Sequence, residues 1–384
     1  MMLAAGIVLA AGVVSAHEAA PSAAFTITVR NELDLARTGE TVELTAAVLG
    51  ATRAEDYLKV AVAEAGKDLL TQAVDSDGDG VFDQVVFQSA FAPRQAKAFT
   101  VRLLPQRRMP KKEDFRVYGR FNRERFDDFA WENDRVAHRM YGPALETWQK
   151  EPLTSSTVDV WVKRTRRLVI NDWYMVDDYH RDHGEGADFY SAGPSRGCGG
   201  SGIWAGDTLH VSRNFRESRV LANGPVRLVF ELSYLPWEAG PGRRVTEKKR
   251  ITLDAGSNLN RIESSYTFEG PGDAQWAAGI KKPAGSDLRV EKAQGWIRTW
   301  EEVRDGNGHL GCGILVDPSL LADVREVAPN TLVIARLPDK APVRYYAGSA
   351  WDRSGDFAGV ADWDRYLEAA ARRLASPLKV SVAR

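Results

Sequence analysis

The sequence has little cysteine, almost no net charge and no long apolar run after its opening residues. Among 384 residues there are 2 cysteines, and the formal net charge is −1. A chain this close to neutrality lacks the basic surface that binding to nucleic acid phosphates requires. Beyond the opening segment, no stretch approaches the roughly 18 consecutive apolar residues of a membrane-spanning helix. We therefore expect no nucleic acid partner and no membrane span.

The opening residues have the pattern of a secretory signal. An apolar run from Leu3 to Val14 is followed by small residues that end at Ala16. This arrangement is typical of a signal peptide, although no Lys or Arg precedes the run here. The sequence therefore predicts a signal peptide over residues 1–16 and a periplasmic or secreted protein.

Aromatic and reactive side chains are unevenly distributed along the chain. Residues 25–105 contain no Trp, His or Cys, and segments such as "FTITVRN", "ETVELTAAVLG" and "DQVVFQSAF" alternate between apolar and polar positions. Alternation with period two indicates half-buried strands. We predict a small N-terminal β-sandwich over residues 25–105, and we assign the chemistry to residues 115–384.

The longer C-terminal part also has the pattern of a β protein. Segments such as "TVDVWVKRTRRLVIND" and "GPVRLVFELSYL" are long and rich in β-branched residues, and turn residues separate them. Its one clear helix candidate is "DWDRYLEAAARRLAS" at residues 362–376, where Leu367, Ala370, Ala371 and Leu374 recur at helical spacing. The sequence predicts a large antiparallel β architecture over residues 115–384, with one helix packed on a sheet.

The segment "DSDGDGVFD" places acidic residues at alternate positions around two glycines. They are Asp75, Asp77, Asp79 and Asp83. Oxygen ligands at this spacing suit a structural calcium ion, although Val86 stands where an EF-hand has its last glutamate. A polar hairpin tip explains the same residues, because Asp and Gly favour tight turns.

The segment "YHRDHGEGADFYSAGPSRGCGG", residues 179–200, concentrates groups that handle protons. It contains His180, His183, Tyr190 and Arg196. Glycines at 184 and 186 disfavour the helix on which a histidine pair would bind zinc, so we favour acid and base roles in a loop over a metal site. Cys198 either pairs with Cys312 in a disulfide, fills a small buried space, or acts as a thiol nucleophile.

The segment "DDFAWENDRVAHRMYGPAL", residues 127–145, is dense in polar and aromatic residues. As one continuous strand it would place Glu132 on one face and Trp131, Asn133 and Arg139 on the other. Neither face is apolar enough for an ordinary core. Trp and Tyr beside acid, amide and guanidinium groups suit sugar binding, and a solvated edge strand is the alternative interpretation.

Four motifs together resemble an uncharacterised secreted bacterial family with a domain of unknown function. They are "YGRFNRERFDDFAWENDRVAHRMYGPAL", "DVWVKR", "YHRDHGEGADFYSAGPSRGCGGSGIW" and "YYAGSAWDRSGDF". The family is associated with the degradation of uronic-acid polysaccharides such as pectin and ulvan. The resemblance implies a galactose-mutarotase-like β-supersandwich, a shape shared with many polysaccharide lyases, after a small β-sandwich. It implies an anionic oligosaccharide as the partner.

We expect a carbohydrate-active enzyme that acts on uronic-acid-containing oligosaccharides by β-elimination, as a lyase or an oligosaccharide dehydratase. Elimination from a uronate requires a group that neutralises the carboxylate, a base for the C5 proton and an acid for the departing C4 oxygen. We expect Arg196, with Arg139 or Lys281, to neutralise the carboxylate. His183 or His180 would be the base, and Tyr190 or the second histidine the acid. Glu132 and Asn133 would orient the sugar, and Trp131 or Trp351 would stack on it.

This mechanism requires no cofactor for catalysis, and calcium would have a structural role only. Two other functions use the same groups. A non-catalytic oligosaccharide-binding protein would hold the ligand without chemistry, and a sugar epimerase or mutarotase would move protons without forming an unsaturated product. Fold alone does not decide among them.

Overall fold

The structure is a computed structural model that describes residues 24–150, 153–176, 178–339 and 341–382. The predicted signal peptide at residues 1–16 lies outside the described residues. The strands are β1 (Phe25–Arg30), β2 (Arg37–Thr45), β3 (Val60–Glu64), β4 (Lys67–Asp68), β5 (Thr71–Val74), β6 (Gln84–Phe91), β7 (Ala96–Leu103), β8 (Val117–Asn122), β9 (Asp128–Asn133), β10 (Val136–Met140), β11 (Val158–Lys163), β12 (Gly186–Ala187), β13 (Cys198–Ala205), β14 (Thr208–His210), β15 (Glu217–Asn223), β16 (Arg227–Ser233), β17 (Trp237–Glu238), β18 (Arg244–Asp254), β19 (Leu259–Glu269), β20 (Gln275–Lys281), β21 (Asp287–Glu291), β22 (Trp296–Glu302), β23 (His309–Val316), β24 (Leu321–Val327), β25 (Asn330–Ala335), β26 (Val343–Trp351) and β27 (Lys379–Val382).

The α-helices are α1 (Ala46–Leu49), α2 (Ile170–Val176) and α3 (Val360–Ala375). Short 3-10 turns occupy Ala54–Lys59, Lys112–Asp114, Arg123–Arg125, Pro143–Thr147, Lys292–Gln294 and Arg304–Gly306. No helix among the described residues is long and apolar enough to cross a membrane. The mainly β prediction is confirmed.

The N-terminal domain is a β-sandwich of two antiparallel sheets. One sheet has the order β27-β1-β7-β3-β4, and the other has the order β2-β6-β5. Their inner faces alternate with polar outer positions and form one core that includes Val29, Val42, Phe87 and Phe99. The predicted small sandwich is therefore present at the start of the chain.

The domain boundary needs a correction at the C-terminus. Strand β27 pairs antiparallel with β1, with Ile27 opposite Val382 and Arg30 opposite Lys379. The last described residues therefore belong to the N-terminal sheet and not to the domain predicted over 115–384. Four residues of a strand carry too little sequence signal to reveal which sheet edge they join.

The larger domain is the predicted supersandwich of three antiparallel sheets. The large sheet has nine strands, in the order β15-β16-β18-β19-β26-β23-β22-β21 with β17 beside β18. Two five-stranded sheets pack on it: β12-β11-β10-β9-β8, here called the first facing sheet, and β14-β13-β20-β25-β24. One apolar core joins all three, with Phe129, Val160, Phe230, Trp276 and Ile314 among its buried side chains.

Residues 127–145 form a hairpin and not the single strand expected from alternation. The Asn133 side-chain oxygen accepts hydrogen bonds from the backbone N–H groups of Arg135 (2.8 Å) and Val136 (3.0 Å), which reverses the chain between β9 and β10. His138 consequently lies opposite Trp131 in the ladder, and both face the core. The Asn-Asp pair was the overlooked turn signal.

Helix α3 packs on the outer face of the large sheet, as its apolar spacing predicts. Trp363 and Leu367 are completely buried against Trp296 and Trp300 of β22. Gly311 and Gly313 of β23 make the close approach: a Cβ on Gly311 would lie 2.8 Å from the Trp363 ring. This packing fixes the helix beside the domain interface.

Candidate functional site

The candidate site lies on the outer face of the first facing sheet. Strand β10 turns His138 and Met140 into the core, so Ala137 and Arg139 between them point to the other side. Helix α2 and the segment after it cover this face, where Trp161, Ile170 and Tyr174 form a separate apolar cluster. Arg139 is therefore held in a nearly closed space.

Three carboxylates surround the Arg139 guanidinium, one from each of β9, β11 and the covering segment. Asp159 Oδ2 lies 2.7 Å from Nε, Asp188 Oδ2 lies 3.1 Å from Nη2, and Asp128 Oδ2 lies 3.7 Å from Nη1. All three carboxylates are at least 95% buried. We call these four residues the Arg139 cluster.

One guanidinium cannot keep three buried carboxyls ionised. Burial raises the pKa of Asp128 to about 7, against the opposing effect of Arg139. Burial also raises the pKa of Asp188 well above its usual range, and the nearby Asp159 charge adds to that effect. Desolvation and like charge both disfavour the charged form, so the cluster retains a carboxyl proton near neutral pH.

Aromatic rings line the approach to the cluster. The Arg139 guanidinium lies 5.3 Å from the Tyr141 ring centre, 5.6 Å from Tyr179 and 5.9 Å from Trp161. Its Nη1 also donates to the Tyr179 hydroxyl at 3.3 Å. The Arg139 side chain is 13% exposed.

His180 stands at the rim of the cluster with its ring 65% exposed. Its Nδ1 lies 3.0 Å from the backbone oxygen of Asp188 and 3.5 Å from Asp188 Oδ2. Because a carbonyl oxygen can only accept, this contact assigns the ring proton to Nδ1. Nε2 of the neutral ring then carries the free lone pair that a base needs.

The glycines of the 179–200 segment allow it to lie close to β11. Gly186 has φ of +113°, and a Cβ there would lie 2.0 Å from the backbone oxygen of Val162. Asp182 accepts hydrogen bonds from the backbone of Gly184 (2.7 Å) and Gly186 (3.0 Å). Arg167 binds Glu185 through two hydrogen bonds of 2.8 and 3.0 Å. These contacts hold the loop over the cluster.

Of the predicted acid and base residues, only His180 contacts the cluster. His183 is 57% exposed, and its Nε2 lies 3.0 Å from Asp178 Oδ2. Tyr190 is 5% exposed in the central core, and burial raises its pKa well above the usual range. Its partner there is Lys281, whose Nζ lies 4.7 Å from the Tyr190 ring and 3.5 Å from Glu301.

Arg196 requires a correction, because its side chain is 3% exposed and serves the protein interior. Nη2 donates to the hydroxyls of Ser155 (2.5 Å) and Thr157 (3.2 Å) and to the Ser195 backbone oxygen (3.1 Å). Burial lowers its pKa to about 10. These bonds tie the 179–200 segment to the residues before β11, and leave Arg196 out of reach of a substrate carboxylate.

The expected sugar-contacting residues of β9 also need correction. Trp131 is completely buried, and its Nε1 donates to Asn260 at 2.8 Å, so neither ring face is open for stacking. Glu132 accepts from Lys163 Nζ at 2.6 Å and from the backbone N–H of Ile170 at 2.8 Å, where α2 begins. Asn133 forms the β9–β10 turn. All three have structural roles.

Trp351 is 2% exposed, and Arg164 covers its ring at 4.7 Å. Its Nε1 donates to the backbone oxygen of Asn307 at 2.8 Å. The ring therefore offers no stacking face in this conformation. Of the predicted substrate-contacting residues, Arg139 has the most suitable surroundings.

Three of the four predicted calcium ligands come together. Asp75, Asp77 and Asp83 each offer an oxygen within 4.8 Å of the others, and Asp79 lies outside this group. Asp75 accepts from the backbone of Gly78 (2.6 Å) and Gly80 (2.9 Å), as a hairpin tip without a metal would also require. Calcium binding stays a prediction.

The two cysteines are buried free thiols. Cys198 donates to the backbone oxygen of Gly348 at 3.0 Å. Burial raises the pKa of Cys312 well above its usual range, and the neighbouring Cys198 thiol raises it further. This environment favours the interpretation as small core residues over that of a thiol nucleophile.

The sequence analysis did not identify Asp128, Asp159 or Asp188 as members of the site. Asp159 had a usable signal, because it is the one charged residue in the apolar run "VDVWV" at the start of β11. A charge in such a run must meet a partner inside the protein. Asp128 follows Asp127 in a turn-like context and gave no such signal.

The protein is an antiparallel β-supersandwich. Its candidate site, the Arg139 cluster, is buried under a glycine-rich loop. The chain belongs to the family described as Domain of unknown function (DUF4861), whose family model matches residues 29–380. It is 33% identical over 373 residues to "Uncharacterized protein P7" of Formosa agariphila, with 93% of each chain covered.

Two solved structures are also similar, at 10% identity each. One is a protein in glycosyl hydrolase family 38 from Enterococcus faecalis, with a TM-score of 0.49 over 94% of this chain and 47% of that one. The other is an alpha-mannosidase from Enterococcus faecalis V583, with a TM-score of 0.46 over 94% and 46%. The chain spans about half the length of these two structures.

Proposed function

We propose that this protein is a carbohydrate-active enzyme that acts on uronic-acid-containing oligosaccharides by β-elimination, as a carbon-oxygen lyase. The observation that carries the proposal is the meeting of Arg139 and His180 at one oxygen of Asp188. A cation and a protonated carboxyl for the substrate carboxylate thus lie beside a base with a free lone pair. The extracellular or periplasmic location predicted from residues 1–16 suits a polysaccharide-derived substrate.

In the proposed reaction the uronate carboxylate binds at the exposed part of the Arg139 side chain, with the Asp188 carboxyl proton as a second hydrogen-bond donor. Neutralising that carboxylate acidifies the C5 proton. Nε2 of His180 takes the proton, the C5–H electron pair forms the C4=C5 double bond, and the C4–O bond breaks. The Tyr179 hydroxyl, which accepts from Arg139 at 3.3 Å, has its own proton available for the departing oxygen.

This assignment replaces Arg196 by Arg139 and Tyr190 by Tyr179, and it retains His180. The proposed mechanism uses a carboxyl group of the cluster that stays protonated because burial raises its pKa. An enzyme site in which neighbouring titratable groups have displaced pKa values is a favourable place for acid and base catalysis.

The test is to incubate the full chain with uronate oligosaccharides and matched neutral oligosaccharides in deuterated buffer. Elimination predicts growth of the ultraviolet absorbance of an unsaturated uronate, from the uronate series only. Deuterium exchange at C5 without absorbance would establish epimerisation instead. Binding without exchange or absorbance would establish a binding protein, and equal turnover of neutral oligosaccharides would exclude the elimination mechanism.

A further inference from the structure

A cavity of about 550 Å³ lies between the two domains, away from the Arg139 cluster. Strands β2 and β6 of the N-terminal domain form one wall, and the outer face of the large sheet forms another. Helix α3 closes the third side through Tyr366, Ala370 and Arg373. This volume lies within the roughly 300–1,000 Å³ that small-molecule sites occupy.

The acidic side chains of this cavity already have cationic partners. Asp254 accepts two hydrogen bonds from Arg227, at 2.6 and 2.8 Å, and Glu43 accepts a third at 2.6 Å. Glu40 lies 3.3 Å from Arg37 Nη1. The carboxylates on the walls are therefore largely neutralised by the protein itself.

Two arginines on the walls, Arg261 and Arg373, have guanidinium groups that the protein itself does not fully pair. Arg261 Nη1 lies 3.8 Å from Glu43 and its Nε lies 3.7 Å from Glu263, both beyond hydrogen-bond distance. That Nε is buried and makes no hydrogen bond within the described residues. Arg373 lies 5.7 Å from the Tyr366 ring centre, and among the described residues it makes no ion pair. A buried donor without a partner is costly, so an acceptor from outside would stabilise it.

Arg116 adds a third guanidinium to the lining of the cavity, and its Nη2 donates to Gln88 Oε1. Its side chain is 41% exposed, and Nη1 lies 3.9 Å from Asp134 Oδ2. The rings of Tyr346 and Tyr366 and the hydroxyl of Thr41 complete a wall that is polar and aromatic at once. Guanidinium groups bind planar or tetrahedral oxyanions, and tyrosine rings pack on the apolar faces of sugar rings.

We propose that this interdomain cavity is a second saccharide site, which binds an anionic sugar unit through Arg261, Arg373 and Arg116 without reacting with it. The ligand is a sugar that carries a carboxylate or a sulfate ester. The site goes beyond the proposed elimination activity and does not depend on it, because none of the residues of the Arg139 cluster lines the cavity. With this cavity as a second binding site, the protein could hold one polyanionic saccharide chain at two places and so bind it more tightly.

The test measures binding to the full chain by titration calorimetry in a His180→Ala background, so that no turnover interferes. Three ligands are compared: a short galacturonate oligosaccharide, a sulfated galactose oligosaccharide and the unmodified galactose oligosaccharide. We expect at least tenfold stronger binding of one or both anionic ligands than of the neutral one. The stronger of the two shows whether carboxylate or sulfate is recognised.

Arg373→Gln and Arg261→Gln should each remove one bound equivalent or weaken that binding at least tenfold. Arg372→Gln is the matched control, because Arg372, the neighbour of Arg373 on α3, pairs with Asp34 outside the cavity, and this variant should bind as before. Melting curves show that each variant is folded, and Arg373→Gln is the variant that decides, because Arg373 is only half-buried. Unchanged binding by folded Arg373→Gln, or equal binding of the neutral ligand, would overturn the inference. Loss of turnover in His180→Ala with this binding retained would separate the two sites.

Discussion

Arg139 and His180 meet at a single oxygen: Asp188 Oδ2 lies 3.1 Å from Nη2 of Arg139 and 3.5 Å from Nδ1 of His180. Arg139 belongs to β10, whereas His180 and Asp188 belong to the covering loop. Through Asp188, the buried strand β10 therefore fixes the position of the exposed His180 ring. Catalytic groups on loops need this kind of support from a rigid element.

Replacing His180 by Asn should abolish turnover while leaving the fold intact. The Asn amide can donate to the Asp188 backbone oxygen much as Nδ1 does, but it cannot accept a proton. Loss of a general base costs roughly 10²–10⁴-fold in rate. His183→Asn is the matched control, because within the part of the chain that the structure describes the His183 ring bonds to the exposed Asp178 and not to the Arg139 cluster. Steady-state rates on a uronate oligosaccharide decide, and a larger loss in His183→Asn would move the base to that residue.

Arg139→Lys should reduce both turnover and stability. Lysine keeps the charge, but it cannot reach Asp159, Asp188 and the Tyr179 hydroxyl at once from a fixed fork. Loss of a donor at the reacting carboxylate should lower kcat/KM by about 10²-fold or more. Arg344→Lys, at the exposed pair with Glu263, should change neither quantity. Wild-type kcat/KM in a folded Arg139→Lys protein would remove Arg139 from the mechanism.

The contribution of Asp128 to the stability of the protein should fall as the pH rises from about 4 to 7. Asp128 has its folded pKa raised to about 7 from an ordinary 3.8, so the folded state holds a proton that the unfolded state has released. Its stabilising contribution is complete below the unfolded pKa and is lost as pH rises through the folded pKa. Each pKa unit corresponds to about 1.4 kcal/mol.

Asp128→Asn carries no titrating group at this position, so the melting temperature of the wild type relative to this variant should fall as the pH rises over the same range. Both proteins keep the titration of Asp188, whose pKa is raised in the same direction, and that of His138, whose pKa burial lowers to about 4 and whose contribution therefore has the opposite sign. The measurement is thermal unfolding of both proteins at several pH values. Parallel curves would show that Asp128 is ionised in the folded protein throughout.

Calcium should raise the melting temperature through the loop at residues 75–83. A ligand at 100 times its dissociation constant stabilises the native state by about 2.7 kcal/mol. Asp77→Ala should erase the effect, because it removes one of the three carboxylates that come together in the loop. The loop itself should keep its shape, because the exposed Asp77 side chain makes only one hydrogen bond within it, from the Asp79 backbone at 3.1 Å. Asp79→Ala, outside the three-carboxylate group, should retain it. Identical melting with calcium and with a chelator would leave the plain hairpin.

Periodicity predicted the fold well and predicted long-range contacts poorly. The helix expected at residues 362–376 is α3 at Val360–Ala375, because its apolar spacing matches a single buried stripe. The β-rich domains follow from alternation and turn residues in the same way. The hairpin at Asn133 was missed because its polar residues also fit a continuous alternating strand.

The candidate site was found in part. Arg139 and His180 were identified as polar groups in unusual surroundings, and the structure brings them together. Arg196 was misjudged because its glycine-rich neighbours suggest an exposed loop. The hydroxyls and carbonyls that bury it come from Ser155 to Thr157, some forty positions earlier in the chain. No local pattern contains such a pairing, since it depends on how two distant segments fold together.

Because β27 pairs with β1, the N-terminal sheet is complete only after β27 has been synthesised. Strand β1 lies between β7 and β27, so one of its edges keeps unpaired N–H and C=O groups until β27 has been synthesised. During synthesis the N-terminal domain therefore has an open sheet edge, and such an edge is prone to wrong strand pairing. A truncation or tag at the C-terminus acts first on the domain at the opposite end of the sequence.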